Sequence, residues 1–316
     1  MSIQRSLIQC TVAMWIMSPF PVPSWPPSLA AARGTLAPVL PNLIVIGAAK
    51  CGTTSLHEYL DAHPEISMSP EKELYFFVEE KNWGRGLTWY ESQFDSSAAV
   101  RGESSPGYSA FPLYRGVPER MAQMIPDAKL VYLVRDPIER IVSHYTHRRV
   151  NWPDMAPLAE TLGPGAFRDW LVKPSHYWLQ LEQYLQCFTA EQILVVDSDD
   201  LRDRRPETLG RIFEFVGVDP SFRSSKFELS HNAATGQRRM TTSGRVLSSV
   251  LDRTLGGHRA QALRARAPRT LKSAFVTELE PPVLPSALRE ELERELRGEV
   301  ERLRAHTGLA FAGWSV

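Results

Sequence analysis

A lysine and three hydroxyl residues lie close together in a glycine-containing stretch near the start of the chain, and their types suit phosphate binding. The stretch follows the apolar run Leu43–Ile46 and begins at Gly47. A loop of small residues lets successive backbone N–H groups point at one spot, and a helix start adds partial positive charge there. A strand, loop and helix start in this order predict an anion site with these ligands: Lys50, Gly52, Thr53, Thr54 and Ser55.

The loop differs from the phosphate loop of nucleoside triphosphatases in the position of its lysine. Gly47 and Gly52 fall in register with the pattern G-x-x-x-x-G-K-[ST], but Thr53 stands where the lysine would be. The lysine has moved back to Lys50. A triphosphatase needs its lysine on the β- and γ-phosphates, whereas Thr53 and Thr54 present two adjacent hydroxyls to one phosphate. The pattern therefore indicates a P-loop-like phosphate site of another kind.

A second group of phosphate-binding residue types follows another apolar run, Lys129–Val134. Arg135 comes directly after this run, where open α/β sheets bind their ligands. Pro137 suits the first turn of a helix, and Ser143 lies about two turns along that helix. Because arginine binds phosphate bidentately and a hydroxyl adds a donor, the pair predicts a second phosphate, separate from the first.

Strand-like and helix-like segments alternate along the chain and give these residues a framework. Apolar, β-branched-rich runs predict buried parallel strands over Leu43–Ile46, Lys129–Val134 and Ile193–Val196. Apolar spacings of three and four predict helices over 54–62, 139–149, 177–188 and 285–304. We therefore predict an α/β fold in a single domain: a doubly wound, mostly parallel sheet with a P-loop-like phosphate-binding loop.

The composition excludes several classes of function. The 316 residues include 36 Lys+Arg and 36 Asp+Glu, so net charge gives no case for a nucleic-acid partner. Hydrophobic residues make up 43% and charged residues 23%, as in globular proteins rather than disordered or polytopic membrane proteins. The three cysteines are unclustered, which favours a reducing compartment and gives no zinc spacing.

The first 41 residues differ from the rest of the chain. A short apolar run is followed by repeated prolines, which forbid regular structure. We interpret residues 1–41 as a disordered leader and residues 42–316 as the domain. The apolar run is shorter than the ~20 residues that span a bilayer, so we expect a cytoplasmic protein without stable membrane insertion. The alternative is an N-terminal signal or anchor segment.

Together with the segment Glu71–Phe77, the two phosphate motifs resemble the sulfotransferases that use 3′-phosphoadenosine 5′-phosphosulfate (PAPS). The resemblance is greatest to the sulfotransferase domains that act on heparan sulfate and their bacterial relatives. It implies that Arg135 and Ser143 bind the 3′-phosphate and that Glu73, ahead of a Phe-Phe pair, is the catalytic base. A late nucleotide loop of these enzymes is reduced here to residues 243–245, with Arg245 as its candidate. The resemblance assigns the 5′-phosphosulfate to Lys50, Gly52, Thr53, Thr54 and Ser55.

The resemblance implies transfer of a sulfuryl group to a hydroxyl, or as second choice an amine, of a carbohydrate, glycolipid or natural product. Lys50 would stabilise the leaving phosphate and Glu73 would take the acceptor proton, without a metal. The partner would be a small-molecule or glycan acceptor. The sequence names neither that acceptor nor the oligomeric state.

Several alternatives stay open from the sequence. Glu71 and Glu103 are other nearby carboxylates, and His144 or His147 could be the base if the acceptor enters from the other side. An ATP-dependent kinase or triphosphatase could use Ile193–Asp197 as its acidic strand, although the displaced lysine argues against it. A non-catalytic nucleotide-binding protein of the same fold is the third class, and the presence of both a lysine and a candidate base argues against that.

Overall fold

Five parallel strands form the central sheet. The computed structural model describes residues 38–152, 154–228, 238–240, 254, 276–278 and 282–316. The strands lie in the order β2-β3-β1-β4-β5, and a separate antiparallel pair joins β6 to β7. Their bounds are β1 Leu43–Gly47, β2 Ile66–Met68, β3 Val100–Ser104, β4 Lys129–Val134, β5 Ile193–Asp197, β6 Arg238–Met240 and β7 Val276–Glu278. The predicted α/β class and all three predicted strands are confirmed, and β2 and β3 are additional.

Helices connect the strands of the sheet and flank it. Among the described residues, none of the helices is long and apolar enough to cross a membrane. The predicted helices are present, with ends that differ by a few residues. The α-helices are α1 Thr53–Asp61, α2 Gly86–Glu91, α3 Val117–Met124, α4 Pro137–Asn151, α5 Leu158–Thr161, α6 Ala166–Val172, α7 Tyr177–Leu185, α8 Ser198–Asp203, α9 Arg205–Val216 and α10 Ser286–Thr307.

The core lies on both faces of the sheet, as expected for parallel strands. Every residue of β1 is buried. A second cluster of buried side chains joins α4 to α10 through Ile138, Ile141 and Leu292. Of the apolar stripe predicted on the last helix, Leu292, Leu296 and Val300 are buried. The last helix, α10, therefore packs against α4, which carries Ser143 of the second predicted phosphate motif.

The strand order creates a switch point between β1 and β4. The chain leaves β1 toward β2 on one side of the sheet, and it leaves β4 toward β5 on the other. The two strands pair directly, with Gly47 opposite Tyr132. Ligands of open α/β sheets bind in the crevice outside the carboxyl ends of strands at such a point. The fold thus brings the loop after β1 and the segment after β4 to one crevice.

Most of the predicted leader, and Arg245 of the predicted nucleotide loop, lie outside the described residues. Residues 1–37 and Arg245 are not among the described residues. The division into a leader and a single domain stays a prediction.

Candidate active site

The start of α1 has the features of an anion site. Its N-cap, Gly52, has φ 93°, a left-handed conformation that glycine adopts without steric penalty. No side chain caps the first N–H groups of this helix, and its first turn contains no acidic residue. Thr53 and Ser55 are buried here, whereas Thr54 is half-buried. The positive end of the helix dipole and the absence of acidic residues in the first turn therefore favour a negatively charged ligand at this end.

Lys50 lies in the loop that leads from β1 to this helix. Burial lowers the pKa of the Lys50 ammonium, and the Glu73 carboxylate opposes that shift. A partly desolvated ammonium is stabilised by any nearby anion more strongly than an exposed one would be. Lys50 is therefore a cation that lacks full solvation and stands beside both the phosphate loop and Glu73.

Glu73 has a donor on each carboxylate oxygen. Lys72 Nζ lies 3.2 Å from Oε1, and the Tyr75 hydroxyl donates to Oε2 at 3.1 Å. The same Lys72 ammonium lies 3.4 Å from Thr53 Oγ1 in the first turn of α1. The Glu73 backbone N–H donates to the Ser104 carbonyl at 2.9 Å, which fastens this segment to the end of β3. Lys72 thus links the candidate base to the phosphate loop.

Backbone strain is concentrated at these residues. Within the described ranges, the non-glycine residues with positive φ are Lys50 (76°), Glu73 (67°), Tyr75 (47°) and Phe311 (47°). Such conformations are uncommon for residues with a Cβ and are found preferentially at functional sites. Three of the four strained residues converge on one cluster, and they include both residues to which the sequence assigns catalysis.

Arg135 and Ser143 lie on the other side of the crevice. Asp136 caps α4 by accepting the Glu139 N–H at 2.8 Å, so the helix begins directly after Arg135. The Arg135 side chain is 26% exposed, and its guanidinium lies 3.7 Å from the Glu139 carboxylate. Glu139 and Ser143 are four residues apart on one side of α4, and the contact with Glu139 places Arg135 near the start of that helix. The weak pairing with Glu139 leaves Arg135 able to exchange its partner for a phosphate.

Glu103, an alternative candidate for the base, lies in the core, where three hydroxyl groups donate to its carboxylate. The residue is fully buried, and its carboxylate accepts from Tyr90 at 2.5 Å, Ser105 at 2.7 Å and Tyr108 at 2.9 Å. Burial raises the pKa of this carboxyl group, although the three hydroxyls oppose that shift. Because its oxygens are occupied and inaccessible, Glu103 serves packing at the end of β3.

The two histidines of α4 differ in their availability. His144 is buried, with Nδ1 3.4 Å from Arg140 and Nε2 3.4 Å from Arg148. Burial, then the charges of Arg140 and Arg148, hold the pKa of His144 well below its ordinary value. Partial burial, then Lys50 and Arg148, lowers the pKa of His147, whereas Glu73 raises it. His147 therefore interacts electrostatically with Lys50 and Glu73 and stays an alternative base.

Comparison with known proteins identifies the family. Residues 40–241 match the sulfotransferase domain family. The chain belongs to this family. It is 31% identical over 210 residues to heparan sulfate glucosamine 3-O-sulfotransferase 5 of Homo sapiens, covering 62% of this chain and 58% of that protein. It is 28% identical over 211 residues to bifunctional heparan sulfate N-deacetylase/N-sulfotransferase 1 of Caenorhabditis elegans, covering 62% of this chain and 24% of that protein.

The chain thus spans less than two thirds of the curated relatives that it matches. Among solved structures, a sulfotransferase from Alicyclobacillus acidocaldarius superposes with a TM-score of 0.63 at 23% identity, covering 87% of this chain and 99% of that one. This likeness supports the α/β sulfotransferase fold. The sulfotransferase family and the α/β fold predicted from the sequence are confirmed.

Asp197, the candidate acidic residue of a triphosphatase, has a structural role in this sulfotransferase-family chain. Its carboxylate accepts the Asp199 N–H at 3.0 Å and so caps α8. It also lies 3.4 Å from Trp314 Nε1, which fastens the C-terminal segment to β5. In the part of the chain that the structure describes, no three His, Cys, Asp or Glu residues are grouped as metal ligands would be.

Two cations of the site were not assigned from the sequence. Lys72 links Thr53 and Glu73, a contact between segments that sequence spacing does not reveal. Arg148 lies on α4, where its guanidinium is 4.4 Å from the Trp170 ring centre and 5.3 Å from that of Trp152. The spacing of four between Arg148 in α4 and Trp152, the residue that follows this helix, is a signal that could have found this group.

Proposed function

We propose that the chain transfers the sulfuryl group of PAPS to a hydroxyl of a carbohydrate acceptor. The observation that carries the proposal is the Lys72 ammonium, which lies 3.4 Å from Thr53 Oγ1 and 3.2 Å from Glu73 Oε1. A candidate base is thereby attached to the first turn of a phosphate-binding helix. A proton acceptor beside a phosphate site is what transfer from a phosphosulfate to a hydroxyl requires.

Two separate anion sites support PAPS as the donor. The start of α1 with Lys50 suits the 5′-phosphosulfate, because the N-terminal end of this helix carries hydroxyl residues and the loop before it carries an ammonium group. Across the crevice, Arg135 and Ser143 suit the 3′-phosphate. ATP has no 3′-phosphate and would leave this second site unused.

The residues divide the chemical step between them. Glu73 takes the proton of the acceptor hydroxyl as the acceptor oxygen bonds to sulfur. Lys50 stabilises the negative charge that develops on the 5′-phosphate oxygen as its bond to sulfur breaks. The products are the sulfated acceptor and adenosine 3′,5′-bisphosphate (PAP), and the proton remains on Glu73 until solvent removes it.

An acidic sugar is the acceptor that the surroundings of Arg148 favour. Burial lowers the pKa of the Arg148 guanidinium, and among the described residues it forms no ion pair with a carboxylate. Trp152 is 46% exposed beside it. A sugar ring stacked on Trp152 could present a carboxylate or sulfate to Arg148. The names of the curated relatives, which act on heparan sulfate, agree with this class.

The acceptor proposal is tested by steady-state kinetics on paired glucuronic-acid and glucose acceptors. Arg148→Ala should raise KM for the acidic acceptor about 10-fold or more, because a charge-assisted bond is lost, and should change KM for the neutral one far less. Equal effects on the two acceptors would remove Arg148 from recognition of the acidic group.

The base assignment is tested by Glu73→Gln, which keeps the shape of the side chain and removes its basicity. We expect kcat to fall by ~10²–10⁴-fold while the Kd for PAP stays unchanged. Glu79→Gln is a matched control, because Glu79 has the same 44% exposure and also has a cation, Arg120, at 3.6 Å. If Glu73→Gln stays active and His147→Gln does not, the base is His147.

A further inference from the structure

Tyr75 is held from several directions beside the candidate base. Its backbone N–H donates to Ser105 Oγ at 3.0 Å. The Lys81 ammonium lies 3.3 Å from the centre of its ring, a distance typical of a cation–π contact. On other sides the ring meets Tyr108 and Tyr114 edge-on, with centroids 6.2 Å and 6.4 Å away. The phenol therefore has little freedom to turn away from Glu73.

Gly107 leaves space for the Tyr75 ring, because it has no side chain. A Cβ added at Gly107 would lie 2.5 Å from Tyr75 Cε1, closer than non-bonded carbons approach. The absence of a side chain at Gly107 thus permits the ring to lie against the backbone that follows β3. Tyr75 itself has φ 47°, a conformation that a bulky residue adopts only when its surroundings enforce it.

We propose that Tyr75 is a positioning residue for the base: its hydroxyl fixes one carboxylate oxygen of Glu73 while Lys72 fixes the other. The inference rests on the proposed function of Glu73. The Glu73 side chain is 44% exposed, and an exposed glutamate samples several rotamers in water. Two donors attached to different elements select one of these rotamers, so the carboxylate is oriented before the acceptor arrives.

The phenol is suited to this task because it stays protonated. Burial, followed by the negative charge of Glu73, raises the pKa of Tyr75 far above its ordinary value. Tyr75 is thus a hydrogen-bond donor at every pH at which the enzyme works. A donor to a carboxylate favours its charged form, which is the form that accepts a proton.

Other charged and titratable groups also surround Glu73 and belong in any account of its pH dependence. The electrostatic partners recorded around this carboxylate are Lys50, Lys72, Tyr75, Lys81, Tyr114, His147 and Arg148. His147 titrates nearest to neutral pH among them. A change of pH profile caused by Tyr75 must therefore also be seen when His147 is replaced by glutamine.

Tyr75→Phe tests the proposal, because it removes the hydroxyl and keeps the ring under Lys81. We expect kcat to fall about 10-fold and the acid limb of kcat/KM to move to higher pH, because the charged carboxylate loses a hydrogen-bond donor. The limb should move equally in the Tyr75→Phe/His147→Gln double variant. The Kd for PAP should not change.

Tyr90→Phe is the control, because it removes a hydrogen bond between a phenol and a carboxylate at another place in the protein. The Tyr90 hydroxyl donates to the structural carboxylate of Glu103 at 2.5 Å, so this change should lower the melting temperature and leave the acid limb in place. Gly107→Ala is a second variant that displaces the ring without removing the hydroxyl, and it should move the limb in the same direction as Tyr75→Phe.

The outcomes separate this inference from the proposed function. An unchanged acid limb in Tyr75→Phe, with Glu73→Gln inactive, overturns the role of Tyr75 and leaves Glu73 as the base. An equal limb shift in Tyr90→Phe shows a general loss of packing and also overturns it. If Glu73→Gln is fully active, both the base assignment and its positioning residue are wrong.

Discussion

Replacing Arg135 by alanine should weaken binding of PAP by about 10- to 30-fold. A hydrogen bond between charged groups contributes about 1.5–3 kcal/mol, which corresponds to about 10- to 150-fold in Kd. The lower part of that range applies because the side chain is 26% exposed and Glu139 competes for it at 3.7 Å. Arg289 also lies 3.7 Å from the other Glu139 oxygen, so this carboxylate keeps a partner when Arg135 turns to the nucleotide.

Calorimetric titration with two nucleotides isolates the 3′-phosphate. PAP and adenosine 5′-monophosphate differ in that group alone, so Arg135→Ala should reduce the affinity for PAP and change that for the monophosphate less than about 2-fold. Arg149→Ala, on the same helix, controls for the loss of one positive charge. Glu139→Gln should act in the opposite sense and tighten PAP binding a few-fold, because it removes the carboxylate that competes for Arg135.

Two results would refute this reasoning. An equal loss of affinity for both nucleotides in Arg135→Ala would mean that the guanidinium supports the crevice rather than a 3′-phosphate. Weaker PAP binding in Glu139→Gln would mean that the contact between Glu139 and Arg135 orders the arginine for binding instead of competing with the ligand. In either case the second phosphate site would have to be sought elsewhere.

Two further predictions concern catalysis and stability. Lys50→Ala should lower kcat by ~10²–10³-fold and change the Kd for PAP much less, because the Lys50 charge is needed where the leaving phosphate becomes negative. Single-turnover assays measure the rate and calorimetry measures the Kd. A change in Kd alone would contradict the prediction. His176, then Arg168, hold the pKa of Glu295 at about 2, so this carboxylate stabilises the fold above about pH 4.3 and loses that effect as pH falls toward 2. Glu295→Gln should therefore lower the free energy of unfolding by about 2 kcal/mol at pH 7 and flatten its acid dependence, measured by urea denaturation at several pH values.

The strands that the sequence predicted are those with continuous apolar runs. β1, β4 and β5 read as continuous apolar runs because helices cover the two sides of a parallel sheet. β2 has only three residues, Ile66–Met68, which is too short for a periodicity signal. β3 contains Arg101 and Glu103, and its buried carboxylate is tolerated because three hydroxyls from other positions satisfy it. Such compensation is a property of the folded chain, so no local pattern could predict this strand.

In the candidate site, too, some positions follow from the local sequence and others depend on the folded chain. Lys50, the hydroxyls of α1 and Arg135 follow strands directly, so their position at the carboxyl edge follows from the order of elements. The order of elements does not separate the candidates for the base, because the burial of Glu103 and His144 and the exposure of Glu73 depend on the folded chain. The bridge from Lys72 to Thr53 likewise depends on how α1 and the segment after β2 pack together.

The segment that carries Glu73 explains how an accessible side chain is held in a fixed position. Leu74, Phe76 and Phe77 are buried, and Phe76 stacks on Tyr90 with ring centres 4.0 Å apart. The left-handed backbone at Glu73 and Tyr75 turns these two side chains toward the crevice between the buried ones. Each strained residue costs of order 1–3 kcal/mol, which burial of three large apolar side chains, at about 1.5–3 kcal/mol each, offsets. The core therefore holds the backbone of this candidate base, and Lys72 and Tyr75 contact its carboxylate.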